Sequence, residues 1–288
     1  MIEVAIEGLV HVYPGGVRAV DGVDLRVAPG ERVALIGQNG SGKTTLVRHL
    51  NGLLRPTEGR VLVDGQDAAA RTVAQLASRV GLAFQDPDRQ IFARSVGAEV
   101  QFGPRNIGLR GAQLRAATEE ALTLLGLTGS EEANPYDLGP SRRKLLALAS
   151  VLAMRTPVVV LDEPTTGQDA PGTRLIGDVV ARVNQEGRTV LAISHDMRWV
   201  AETFERVVVM REGRVVLDGP PQTAFGPDAW PLLRSTFLEP PLAAVAGHRL
   251  GLGATPTEAT LLNALATAGG TVRPPGARGG SGVTGREW

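Results

Sequence analysis

The sequence predicts an α/β fold in which a mostly parallel sheet is joined to an antiparallel β-subdomain and interrupted by a helical insert. Three observations carry that expectation. A glycine-rich loop at 37–45 directly follows an apolar strand at 32–36 and leads into a helix that starts near Lys43. Apolar runs at 158–161, 188–193 and 207–210 alternate with helical segments, as a parallel sheet requires. Between residues 86 and 155, helical patterns dominate and β-branched runs are few.

Taken in chain order, residues 2–7 and 23–27 alternate apolar with polar side chains and read as half-buried antiparallel strands. Pro14-Gly15-Gly16 and Pro29-Gly30 supply turns. Residues 60–63 form a further strand closed by the turn Asp64-Gly65, and 80–84 is a buried strand. Helices are expected over 111–125 and 141–154. A short helical appendage spans 230–266, and the Gly-, Pro- and Arg-rich residues 267–288, with almost nothing to bury, read as a disordered tail. The expected organisation is a main domain over 1–225, with its helical subdomain at about 86–156, then an extension over 226–266 and the tail over 267–288. There is no internal repeat.

Composition narrows the possible functions. A chain of 288 residues with 43% hydrophobic side chains can bury a substantial core. Thirty basic and thirty acidic residues cancel, so no whole-chain field attracts nucleic acid. Without cysteine the chain forms no disulfide and no thiolate metal site, which fits a reducing compartment. The first residues lack the basic and apolar regions of an export signal. The longest uncharged apolar stretch, 145–154, is about half of what a bilayer span needs. A role at a membrane would therefore be exercised from its surface, through a partner.

The loop Gly37-Gln38-Asn39-Gly40-Ser41-Gly42-Lys43-Thr44-Thr45 is a complete Walker A phosphate-binding motif. Its glycines let several backbone N–H groups converge on phosphate oxygens, and the following helix adds its positive dipole end. Lys43 would neutralise charge on the β- and γ-phosphates, and the Thr44 hydroxyl would ligate Mg²⁺. The run 158–163 ends in Asp162-Glu163, the form of a Walker B motif, at the carboxyl end of a strand where ligands of open α/β sheets bind. Asp162 would complete the Mg²⁺ shell, and Glu163 would orient and polarise the attacking water. ATP and Mg²⁺ are thus the expected ligands. No Asn-Lys-x-Asp guanine motif is present.

Gln85 follows the buried strand at 80–84, the stretch 137–142 precedes an apolar helix, and His195 follows the strand ending at Ser194. With the two Walker motifs in this order, residues 1–225 resemble the ATP-binding subunits of ABC transporters, which implies a P-loop NTPase fold with a RecA-like core. The resemblance implies that Gln85 is the Q-loop glutamine at Mg²⁺, that His195 contacts the γ-phosphate, that 165–169 faces a second subunit and that Tyr13 stacks on adenine. Residues 84–92 and 99–104 are more specifically similar to energy-coupling factor transporters, importers of vitamins and of cobalt and nickel, as is the extension around 238–241 and 249–252. That likeness implies an ATPase at the cytoplasmic face of the plasma membrane, with a transmembrane coupling subunit, a substrate-binding membrane subunit and a second related ATPase. Rival readings are a soluble ABC-type ATPase of DNA repair or translation, and a regulatory subunit that binds ATP without hydrolysing it.

One motif departs from the family. Its signature Leu-Ser-Gly-Gly-Gln aligns here with Leu138-Gly139-Pro140-Ser141-Arg142, and in that family the segment closes over the ATP of the other subunit. Gly139 has no hydroxyl and Pro140 no N–H donor. Either Ser141 caps the helix or reaches a phosphate from a shifted position, or Arg142 adds charge. The run Arg142-Arg143-Lys144 reads as a solvated helix face, since no stacking aromatics interleave with it.

Overall fold

The computed structural model describes residues 2–268. The chain opens with strands β1 (Val4–Val12), β2 (Arg18–Val27) and β3 (Arg32–Ile36), and then helix α1 (Lys43–Leu50). Strands β4 (Glu58–Val63) and β5 (Gln66–Asp67), helix α2 (Val73–Ala77) and strand β6 (Val80–Ala83) follow. The central stretch is helical, with α3 (Val96–Asn106), α4 (Gly111–Leu124) and α5 (Pro140–Leu152). Strand β7 (Val158–Asp162), α6 (Ala170–Gln185), β8 (Thr189–Ile193), α7 (Met197–Thr203), β9 (Arg206–Arg211) and β10 (Arg214–Gly219) complete the sheets. Four shorter helices end the described chain: α8 (Pro221–Ala224), α9 (Trp230–Ser235), α10 (Leu242–Arg249) and α11 (Glu258–Thr267).

Two sheets result. One is antiparallel, in the order β2-β1-β4-β5, and the other runs β10-β9-β3-β8-β7-β6. The five strands from β9 to β6 are parallel, and only β10 pairs antiparallel. Both faces of the larger sheet are covered along its parallel strands, which is why these are mainly apolar runs instead of alternating ones. Val33 and Leu35 of β3 point into the core shared with the smaller sheet and α1, while Ala34 and Ile36 point into the core beneath α5 and α6. In β7, Val158 and Val160 divide from Val159 and Leu161 in the same way.

Some expectations shift. The first strand runs to Val12 and is interrupted by irregularities after Ile6, where Gly8 takes a positive φ of 56°; alternation alone ended it at residue 7. The hairpin strand β10 was not anticipated, because its half-exposed residues lack a clean apolar run. The appendage resolves into α9, α10 and α11. Most of the expected disordered tail, residues 269–288, lies outside the described residues.

Helix α5 is buried along its whole length beyond its first turn, and Leu146 within it is inaccessible to solvent. Leu146→Ala should therefore cost about 2–5 kcal/mol, the range for a cavity left in a packed core. Denaturant unfolding checks this: the midpoint should fall with little change in slope.

Candidate nucleotide-binding site

The order β3-β8-β7-β6 brings the carboxyl ends of four parallel strands side by side. The loop after Ile36, His195 after Ser194, Asp162-Glu163 and Gln85 are thereby gathered at one edge, although they span more than 150 residues of sequence. All four border a single cavity of about 300 Å³, whose opposite wall carries Tyr13 and Arg18 from the smaller sheet's end.

Backbone geometry explains the glycines of the loop. Gly42 has φ 100°, and a Cβ there would lie 2.3 Å from the Ala19 carbonyl oxygen. At Gly37, φ 147°, a Cβ would fall 2.1 Å from the Met210 carbonyl oxygen. Only glycine lets the loop thread between β2 and β9 in that conformation. The Lys43 ammonium is folded into the loop, donating to the carbonyls of Gly37 at 2.6 Å and Gln38 at 2.9 Å. Burial lowers its pKa, against the opposing pull of Glu163 and Asp162.

Thr44 Oγ1 donates to Asp162 Oδ2 at 3.1 Å. The other carboxylate oxygen of Asp162 is buried with no hydrogen-bond partner. A carboxylate with one orphaned oxygen and a hydroxyl bonded to the other, with Gln85 bordering the same cavity, offer oxygen donors, which suit Mg²⁺ and its taste for carboxylate, water and phosphate oxygens. Thr44, Asp162 and Gln85 are the residues that would hold the ion.

Glu163 sits at φ 50°, an uncommon conformation for a residue with a side chain. Its Oε2 accepts from the Thr166 hydroxyl and from the His195 backbone N–H, both at 3.3 Å, and its Oε1 lies 3.1 Å from His195 Nε2. Burial raises its pKa, and the neighbouring His195 partly offsets the rise. Asp162 is raised by burial too, with Thr44 opposing. His195, with 39% of its side chain exposed, therefore rests on the carboxylate instead of projecting alone toward a phosphate. The Tyr13 hydroxyl is paired with Thr45 Oγ1 at 3.1 Å, and His11 meets its ring edge-on at 4.6 Å.

The first turn of α5 does not use Ser141 as its cap. Gly139 is the N-cap and no side chain caps the helix; Ser141 lies inside the first turn, and its hydroxyl donates to Gln168 Oε1 at 2.7 Å. Arg142 is engaged with the Ser130 hydroxyl. The solvated-face reading also fails at Lys144, which is 5% exposed and donates to the backbone carbonyl of Gln85, while Arg143 lies 3.7 Å from Asp88. The burial of Lys144 is set by its bond to the Gln85 carbonyl, 59 residues away, for which the adjacent Arg142 and Arg143 carry no local signal. Thr166 carried none either.

Raised carboxyl pKa values make a stability statement. Where Glu163 is ionised, the folded state bears a desolvation cost absent from the unfolded chain; below the ordinary glutamate range both states are protonated and the cost disappears. Glu163→Gln should accordingly raise the thermal midpoint of the nucleotide-free protein at neutral pH, with the gain shrinking as pH falls and lost below about pH 4. A scan of Tm against pH for both proteins checks the sign.

Known proteins resemble this chain over most of its length. Residues 20–166 match the family model described as ABC transporter. An ABC transporter ATP-binding protein of Caldanaerobacter subterraneus is 41% identical over 241 residues, covering 84% of this chain but 42% of that longer protein. The energy-coupling factor transporter ATP-binding protein EcfA of Methanothermobacter thermautotrophicus is 38% identical over 252 residues, 87% of this chain and 80% of the relative. Among solved structures, cbiO1 from Clostridium perfringens, part of the ABC transporter complex cbiONQ, superposes with a TM-score of 0.71 at 34% identity, covering 81% of this chain and 93% of that one. The chain belongs to the ABC transporter family, as an ATP-binding subunit with the α/β fold of its ATPase cassettes.

Proposed function

We propose that this chain is the ATP-hydrolysing subunit of an energy-coupling-factor-type importer, placed at the cytoplasmic face of the plasma membrane. Through a transmembrane coupling subunit and a substrate-binding membrane subunit, it would drive uptake of a vitamin or a transition-metal ion. No helix among the described residues is long and apolar enough to cross a membrane, so the transport path belongs to partners.

The chemistry is in-line attack of water on the γ-phosphorus of ATP, giving ADP and phosphate. The loop 37–45 holds the phosphates, and Lys43 swings from its carbonyl contacts to the γ-phosphate oxygens. Glu163, fixed by Thr166 and the His195 N–H, orients the water and accepts its proton; its raised pKa makes it a better base than a free carboxylate. His195 moves from Glu163 to the oxygens that gain charge. Mg²⁺, which Thr44, Asp162 and Gln85 would hold, would supply further charge neutralisation.

One observation carries the assignment to a membrane complex. Directly after Gln85 the chain builds an apolar groove of about 400 Å³, floored by Leu82, Val151 and Met154. Phe92, 60% exposed, and Phe102, 47% exposed, stand at its rim with their rings 4.6 Å apart. Two aromatic rings left in water beside the cavity that holds ATP suit an amphipathic helix from a partner. Ile91 and Val96, in the same stretch, are in the core, and Gln90 is turned inward onto the Ala147 carbonyl and the Ser150 hydroxyl. The likeness to EcfA and cbiO1 supports the same type of complex. Gly139, lacking a hydroxyl where the signature has serine, favours pairing with a second, related ATPase that carries an intact Leu-Ser-Gly-Gly-Gln over pairing with another copy.

Because the chain has no cysteine, a single thiol introduced at position 92 or 102 is the only one to react. A short bifunctional reagent should link it to a transmembrane subunit of the native complex. Capture of only a second copy of this chain, or of nucleic acid, would contradict the proposal.

A further inference from the structure

Ser141 stands where the family signature has its second glycine, so this chain adds a hydroxyl at that point of α5. The hydroxyl is already committed within the chain. It donates to Gln168 Oε1 at 2.7 Å, and Gln168 Nε2 donates back to the Ser141 carbonyl at 3.1 Å, a reciprocal pair across 27 residues of sequence. Space has been left for it: Gly172 opens the first turn of α6, and a Cβ there would lie 2.5 Å from Gln168 Oε1.

The partner of that clamp belongs to the loop that holds Glu163. Thr166 binds the Glu163 carboxylate through its hydroxyl, the Gln168 N–H donates to the Thr165 carbonyl at 3.1 Å, and Asp169 caps α6 through the Gly172 N–H. Residues 163–169 thus form a compact turn with the carboxylate at one end and the Gln168 amide at the other. One turn further along α5, Lys144 grips the carbonyl of Gln85, which borders the same cavity. The start of α5 is therefore bonded to both loops that border the chain's own nucleotide.

We propose that Gln168 is a positioning residue: through its paired bonds to Ser141, the loop that senses the γ-phosphate at Glu163 sets the position of the first turn of α5. Ser141 then serves this internal tie and does not replace the missing signature serine at a partner's ATP. The inference rests on the cassette reading above only in that Mg-ATP binds at Lys43 and Asp162. Two polar groups bonded to each other in both directions transmit a displacement that a single contact, or an apolar one, would let slip.

Amide hydrogen exchange on the full chain tests this. Addition of Mg²⁺ and the non-hydrolysable analogue AMP-PNP to the wild type should slow exchange in 163–169 and, by fivefold or more, at 141–145. In Gln168→Leu, Ser141→Ala and Gly172→Ala the first effect should persist while the second falls below twofold, with AMP-PNP affinity within about twofold of wild type. Ser141→Thr, which keeps the donor, should retain the response. The proposal is overturned if 141–145 responds equally in wild type and Gln168→Leu, if it does not respond in the wild type, or if Ser141→Thr behaves as Ser141→Ala. Failure to bind AMP-PNP at all would overturn it together with the nucleotide site; normal binding with an unchanged α5 response would overturn it alone.

Discussion

Three charged groups, Lys43, Asp162 and Glu163, are held almost out of water at the carboxyl edge of the central strands, and the rest of the structure is arranged around that placement. Taking ionised groups out of water is costly unless they are paired and hydrogen-bonded. Here the compensation is partial. Lys43 turns back onto loop carbonyls, one oxygen of Asp162 has no partner, and burial dominates the shift of each of the three groups. Such an edge is poised for a ligand that brings the complementary charges, phosphate oxygens for the ammonium and a divalent cation for the carboxylate. The packed layers on both faces of the sheet, and the glycines that let the loop pass under Ala19 and Met210, hold these groups in register until it arrives.

Much of this was legible in the sequence, because its strongest signals are local. Residues 37–45 carry their chemistry in consecutive positions, and α1 starts at Lys43 where the loop implied it should. Apolar runs that are buried on both faces give strands β3, β7, β8 and β9 regardless of what surrounds them. What stayed hidden depends on contacts distant in sequence. The burial of Lys144 is set by the Gln85 carbonyl 59 residues away, and its neighbours Arg142 and Arg143 made it look like a solvated charge. Ile91 and Val96 lie within a charged stretch, yet both are buried in the core cluster that includes residues of α4 and α5. The commitment of Ser141 to Gln168 could not be read from either residue type, since both are ordinary surface side chains.

The helical stretch between β6 and β7 connects the two functions asked of such a subunit. On one side, α5 and the segment after Gln85 floor the groove whose rim is Phe92 and Phe102. On the other, the first two turns of α5 are bonded to the loops around Glu163 and Gln85. A rigid helix buried along most of its length is suited to carry small displacements between these places, because close-packed interiors transmit strain instead of absorbing it.

The proposed role of Glu163 in hydrolysis, not in folding, is tested most directly by turnover after Glu163→Gln in the full chain within its assembled complex. Loss of a positioned base lowers rate by about 10² to 10⁴. A fall of that size in steady-state hydrolysis is expected, with Mg-ATP affinity preserved to within a few-fold. Hydrolysis that stays within a few-fold of wild type would contradict it.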